Sequence, residues 1–136
     1  MSSVFVDTSA LYALLVAEDR EHEKAGAILT ALDPNRSFLV TSSFVILETV
    51  ALLQSRIGVP AVRGFQEAIF PVLDIVWVDA RLYSRAASAL LAATKRDVSL
   101  TDWSSFEVMR ERGIRAAFAF DEHFAQQGFE LLVAPS

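Results

Sequence analysis

Short continuous apolar runs alternate along this chain with stretches whose apolar residues recur every three or four positions. Val4-Phe5-Val6 is a run of β-formers without a polar break, the pattern of a strand buried on both faces of a parallel sheet. It stops on Asp7. Ala10, Leu11, Ala13, Leu14 and Leu15 then follow helical spacing, with Thr8 or Ser9 available as a cap. A second helix starts at about Asp19, turns Ala25, Ile28, Leu29 and Leu32 inward, and breaks at Asp33-Pro34-Asn35. Ser37 to Thr41 predicts a second strand, and Ser42 or Ser43 caps a helix that runs to about Arg56. Gly58-Val59-Pro60 ends that helix, and Val62, Phe65, Ala68, Ile69 and Val72 space out another.

Leu73 to Val78 predicts a third strand, followed by a helix from Asp79 or Ala80 to about Lys95. The polar loop Arg96 to Leu100 leads to a helix from Thr101 to Arg112, which Gly113 stops. Ala116 to Phe120 is the fourth strand, Asp121 to Gln127 a short helix ended by Gly128, and Phe129 to Val133 the fifth strand. Five strands interleaved with helices predict an α/β fold: a three-layer α/β/α sandwich around a five-stranded, mostly parallel sheet. A length of 136 residues fits a single domain over 1–136.

Composition narrows what such a domain does. Hydrophobic residues make up 53% of the chain, high for its size, yet charges and turn residues interrupt every apolar run before it reaches membrane-spanning length. The excess points to a sheet covered on both faces or to an apolar patch kept for a partner. No signal-peptide pattern opens the chain, so the expected location is the cytoplasm. Zero cysteines exclude disulfides, thiolate metal sites and a cysteine nucleophile. A net charge of −5 argues against broad electrostatic nucleic-acid binding, but not against a local site where bound cations meet the phosphate.

The carboxylates carry the chemistry. Asp7 follows Val6, Asp121 follows Phe120, and Asp102 opens the helix after the polar loop. Parallel strands present their carboxyl ends on one rim, the edge where open α/β sheets bind ligands. Each aspartate also has a capping alternative, since Ser99-x-x-Asp102 matches a capping box and Asp121 can cap its own helix. Asp79, at a comparable junction, is read as a plain cap. Glu48 is the most telling, as the only charge between Phe44 and Leu53 in a helix expected to be largely buried. No basic residue stands three or four positions away, so it should have a distant cation, a metal or a raised pKa.

Together these segments resemble a PIN domain, and within that family the small VapC-type toxin ribonucleases. The residues that carry the likeness are Phe5-Val6-Asp7-Thr8-Ser9-Ala10-Leu11, Leu47-Glu48-Thr49, Ser99-Leu100-Thr101-Asp102, and Ala119-Phe120-Asp121-Glu122-His123-Phe124 with Gly128-Phe129 behind. They span almost the whole chain in the family's order. The resemblance implies that Asp7, Glu48, Asp102 and Asp121 hold one or two Mg²⁺ or Mn²⁺ ions, with a hydroxyl at Ser9 or Thr101 in support. It implies hydrolysis of an RNA phosphodiester by an activated water, at a structured site in a tRNA or ribosomal RNA. It also implies a homodimer and a small cognate antitoxin protein covering the acidic rim.

Oxygen-only ligands suit such hard cations. His22 and His123 are read as surface histidines, and Lys95, Arg96, Arg110, Arg112 and Arg115 as the scattered bases available for phosphate contacts. The apolar helix at about Pro60 to Val72 is the expected partner surface. A receiver-type domain would need adjacent acidic residues after the first strand, and a haloacid-dehalogenase-like phosphatase an Asp-x-Asp. Here Thr8 and Ser9 stand in those places. The remaining alternative is a PIN-like module that binds protein or RNA without cutting.

Overall fold

The opening apolar run forms β1 (Ser2–Val6), with Val4, Phe5 and Val6 all buried. The computed structural model describes residues 2–136. β1 lies at the centre of a sheet with β2 (Ser37–Ser42), β3 (Asp74–Val76), β4 (Ala116–Phe118) and β5 (Glu130–Leu131). The order is β3-β2-β1-β4-β5 and every pairing is parallel. Parallel neighbours need crossovers, and helices supply them. α1 (Thr8–Leu15) and α2 (His22–Ala31) join β1 to β2. α3 (Ser43–Arg56), α4 (Val59–Ala68) and a 3₁₀ turn at Phe70–Val72 join β2 to β3. α5 (Ala80–Ala93) and α6 (Leu100–Arg112) lead from β3 back across to β4, and α7 (His123–Gln126) joins β4 to β5.

Right-handed crossovers put α1 to α4 on one face and α5 to α7 on the other. In agreement, α1 packs on α2 and α3, α3 on α4, and α5 on α6, while α3 also meets α6. The chain therefore leaves β1 toward one face and β4 toward the other, so a crevice opens between their carboxyl ends.

Several boundaries differ from the sequence reading for identifiable reasons. β3 and β5 are edge strands, paired on one side only, and are shorter than the apolar runs that encode them. Beyond β3, the Val78 amide donates to Ser43 Oγ at 2.9 Å instead of to a strand. β4 stops at Phe118 because the Phe120 amide is taken by the Ser9 hydroxyl at 2.9 Å. The expected helix through Val72 ends at Ala68, since Pro71 cannot donate to a continuing helix. Its Phe65 is fully buried and meets Phe70 edge-on, while Val62 and Ile69 are half-buried and Ala68 and Val72 exposed. Of the caps offered for α1, Asp7 is the one used rather than Thr8 or Ser9, and Ser42 caps α3 and Asp79 caps α5 as read. The carboxylate of Asp19 accepts the Glu21 amide, which delays α2 to His22.

Aromatic packing fixes the far side of the crevice. Phe106 of α6 meets Phe124 of α7 edge-on at 5.1 Å between centroids, and Phe124 lies 6.3 Å from Phe5 of β1. All three rings are fully buried, so α6 and α7 are held to the central strand by contacts worth several kcal/mol on truncation.

Candidate metal centre

Asp7 leaves β1 at the crevice, and its carboxylate faces a residue two positions ahead. Oδ2 accepts the Ser9 hydroxyl at 2.7 Å and the Ser9 amide at 3.2 Å. The same hydroxyl takes the Phe120 amide, so one serine ties the end of β1 to the segment leaving β4. Asp7 is only 4% exposed. Burial pushes its pKa up to about 7; the Ser9 hydroxyl opposes the shift, and the charges of Asp102 and Asp121 add to it. A carboxylate kept this far from water, beside two others, is costly to ionise unless a cation offsets its charge.

Asp102 arrives from the other face as the third residue of α6. Its Oδ2 accepts the Ser99 amide at 3.0 Å while Ser99 Oγ accepts the Asp102 amide at 3.1 Å, a complete capping box. The cap and the site are therefore one arrangement. Capping orients the carboxylate, whose pKa burial raises; the Ser99 amide counteracts this and Asp121 reinforces it. Asp121 follows β4 and turns back on itself, with Oδ1 accepting the His123 amide at 2.9 Å.

That turn also brings in the His123 ring, which corrects the reading of this histidine as a surface residue. Its side chain is 20% exposed, with Nδ1 2.8 Å from Asp121 Oδ1 and 3.8 Å from Asp102 Oδ2, and Nε2 3.3 Å from Asp97 Oδ2. Nδ1 is itself buried, without the alignment that a hydrogen bond to Asp121 requires. Burial disfavours the charged ring, but Asp121, Asp97 and Asp102 together outweigh it and raise its pKa. His22 is also engaged, with Nδ1 2.7 Å from the Ala13 carbonyl oxygen.

One donor atom each from Asp102, Asp121 and His123 lies within 4.8 Å of the others, close enough to serve one ion. Asp7 and Glu48 line the same cavity of about 350 Å³ with Asp102 and Asp121, outside that tight group. Glu48 is half-buried rather than sealed in the core, because α3 buries Val45, Thr49 and Leu53 and leaves Leu47 69% exposed. The expected burial cost of an isolated carboxylate is correspondingly smaller. Ser9 is on the cavity wall, with its hydroxyl on Asp7. Thr101 is not on the cavity wall; its carbonyl takes the hydroxyls of Ser104 and Ser105.

The sequence profile of the PIN domain matches residues 4–130. The chain belongs to the PIN-domain family. This PIN domain is 36% identical over 127 residues to the 23S rRNA-specific endonuclease VapC20 of Mycobacterium tuberculosis, covering 93% of this chain and 95% of that protein. The crystal structure of Mycobacterium tuberculosis VapC20, a Sarcin-Ricin loop cleaving toxin, superposes with a TM-score of 0.85 at 34% identity, over 96% of this chain and 98% of the other. The Rickettsia felis VapBC2 structure, solved with a DNA fragment from its promoter, shares the fold with a TM-score of 0.71 at 11% identity, over 96% and 97%.

The fold sorts the basic residues of this PIN domain. Lys95 and Arg96 lie exposed on the loop that leads to Ser99 and the crevice. Arg110 and Arg112 end α6, and Arg115 precedes β4, so these three occupy the opposite rim and cannot reach a phosphate at the carboxylates. Arg110 instead hydrogen-bonds Gln127 at 2.8 Å and stacks on Phe129, and Arg112 faces Asp74 at 3.7 Å. Arg20 and Arg56 line the cavity, although neither stands out by local pattern. For Arg56 the available signal is the four-residue interval Glu48, Leu52, Arg56. For His123 it is the position two residues after an aspartate that turns back.

Proposed function

We propose that this PIN domain is a metal-dependent endoribonuclease that hydrolyses RNA phosphodiester bonds, acting as the toxin of a toxin–antitoxin pair. The observation that carries the reading is the convergence of Asp7, Asp102 and Asp121 from two strand ends and a helix start into one cavity at the β1–β4 crevice. Four carboxylates and one imidazole are a donor set for Mg²⁺ or Mn²⁺, and the imidazole moves the balance toward Mn²⁺. Asp102, Asp121 and His123 would hold one ion, with Asp7 and Glu48 completing the set or serving a second. Such an ion supplies charge to polarise a water and to offset the charge developing on the scissile phosphate.

The protein's own part is orientation. Ser99 fixes the Asp102 carboxylate, Ser9 fixes Asp7 and keeps it ready to ionise, and the turn at Asp121 fixes the third. The exposed Lys95 and Arg96 are placed to attract the RNA backbone toward the rim. VapC20 makes a ribosomal RNA loop the first substrate to test. The domain, residues 1–136, acts in the cytoplasm; no helix among the described residues is long and apolar enough to cross a membrane. An antitoxin arginine entering the acidic cavity would silence it. A homodimer would cover exposed apolar residues such as Leu47, Trp77 and Leu91.

The deciding experiment incubates the protein with ribosomes and with naked total RNA in Mn²⁺, Mg²⁺ or EDTA, and maps the ends. Site-specific cuts that vanish with EDTA and with Asp102→Asn are expected. Undiminished cutting by Asp102→Asn at limiting metal would remove the site assignment.

A further inference from the structure

One wall of the cavity has no task in the reading above. Away from the carboxylates, Tyr12 of α1 and Leu52 and Arg56 of α3 line the same cavity. Glu48, Leu52 and Arg56 follow at four-residue intervals, so they form a stripe down one face of α3. Arg56 stands about 12 Å along the helix from Glu48. Its guanidinium lies over the Tyr12 ring, 5.5 Å from the centroid. A guanidinium held over a ring keeps N–H donors for a further partner, and their fork matches a phosphate. Among the described residues no carboxylate lies within ion-pairing distance of Arg56. Arg20, the other arginine on the cavity wall, faces Glu21 at 3.8 Å instead.

Two features separate this arginine from an ordinary surface charge. It is braced, so less side-chain entropy is lost when it grips a ligand. It also remains unpaired in a cavity that contains Asp19, Glu21 and the carboxylate cluster, which leaves its charge available to an incoming anion. Its place in the last turn of α3 would account for a cation there by helix-dipole complementarity, but not for the stacking or for the shared cavity.

We propose that Arg56, braced on Tyr12, forms a second phosphate subsite that grips the RNA backbone at least one nucleotide away from the scissile bond. The proposal rests on the ribonuclease reading, because the phosphate must belong to the chain being cut. The subsite sets register. A strand held at Arg56 and at the carboxylates has a fixed length between grip and cut, and a phosphate that reaches only one of them is bound but poorly placed.

Cleavage kinetics test this on oligoribonucleotides shortened stepwise from each side of the mapped cut, using wild type, Arg56→Ala, Arg56→Lys and Tyr12→Leu. Melting of each protein with and without Mn²⁺ runs alongside. Arg56→Ala should raise KM roughly tenfold on long substrates, with kcat within about twofold, as for loss of one charge-assisted contact. The salt dependence of its binding should fall by about one unit of slope. Substrates too short to reach Arg56 should not distinguish it from wild type, and Mn²⁺ should raise the melting temperature of all four proteins equally. Arg56→Lys keeps the helix-end charge, so an intermediate KM supports phosphate gripping, whereas full rescue would reduce the role to helix-end charge and overturn the proposal. Wild-type KM and salt slope in Arg56→Ala overturn the subsite alone. A lost Mn²⁺ response in Arg56→Ala also overturns it, by showing that the arginine acts through the carboxylates. If wild type binds and cuts no RNA at all, the ribonuclease reading fails and the subsite fails with it.

Discussion

The Ser9 hydroxyl lies 2.7 Å from Asp7 Oδ2, and this short contact is the largest influence keeping the buried Asp7 carboxylate ionisable. Ser9 Oγ also accepts the Phe120 amide at 2.9 Å. Ser9→Ala should therefore do two things. It should destabilise the protein by about 1–3 kcal/mol by leaving the partly buried Phe120 amide unsatisfied and Asp7 with the backbone amide alone. It should also weaken the melting response to Mn²⁺ at neutral pH, whereas Ser9→Thr should restore much of both. Thermal melting of the three proteins with and without Mn²⁺ reads the outcome.

Metal-free stability should depend on pH through Asp7. Its folded pKa of about 7 exceeds the ordinary 3.8, so the folded state holds the proton more tightly than the unfolded chain. Stability from this group is complete below pH ~4 and is lost as the pH rises through about 7. Asp7→Asn removes the dependence and keeps the cap, because Asn caps as well as Asp. In EDTA the variant should match wild type near pH 4 and exceed it above pH 7, by at most about 4 kcal/mol. A constant difference from pH 4 to pH 8 would contradict this account.

Divalent ions should stabilise the wild type. At ~100 times its dissociation constant a bound ion contributes about 2.7 kcal/mol, or roughly 8–10 °C in melting temperature at this chain length. Asp102→Asn and Asp121→Asn should lose most of that shift, and Glu48→Gln less, since Glu48 lies outside the tight group. Equal shifts in all four proteins would place the ion elsewhere.

Phe124 is a structural prop whose loss reaches the site. Phe124→Ala should cost about 3–5 kcal/mol. Phe124→Leu, which folds more readily, should lower cleavage and Mn²⁺ affinity by loosening His123 and Asp121 one and three residues away. Wild-type Mn²⁺ affinity in Phe124→Leu would show that α7 does not set the site.

Much of this was legible because the signals were local. A β-forming run ending in Asp7, a capping box at Ser99 and Asp102, and Gly113 in the left-handed conformation all lie within a few residues of what they control. Glu48 was read correctly onto α3 but incorrectly into a core. Its neighbours are apolar in sequence, and yet α3 has one face toward solvent. His123 and Arg56 were missed for the converse reason. What makes each unusual is a partner across space, Asp97 and Asp102 for one and Tyr12 for the other, and no local period records such partners. β5 shrank to two residues because an edge strand stays paired only where its single neighbour continues.

The reversal of strand order at β1 has a consequence for biosynthesis. Asp7 lies near the start of the chain, while Ser9 finds the Phe120 amide 111 residues later. β1 also pairs with both β2 and β4. A nascent chain that has made β1, α1 and β2 has one wall of the crevice and no second wall. Asp102 and Asp121 join it only when α6 and β4 have been synthesised and have docked. The cell that makes this protein therefore meets the assembled carboxylate crevice only after translation has nearly finished, because a chain that stops before β4 lacks its second wall.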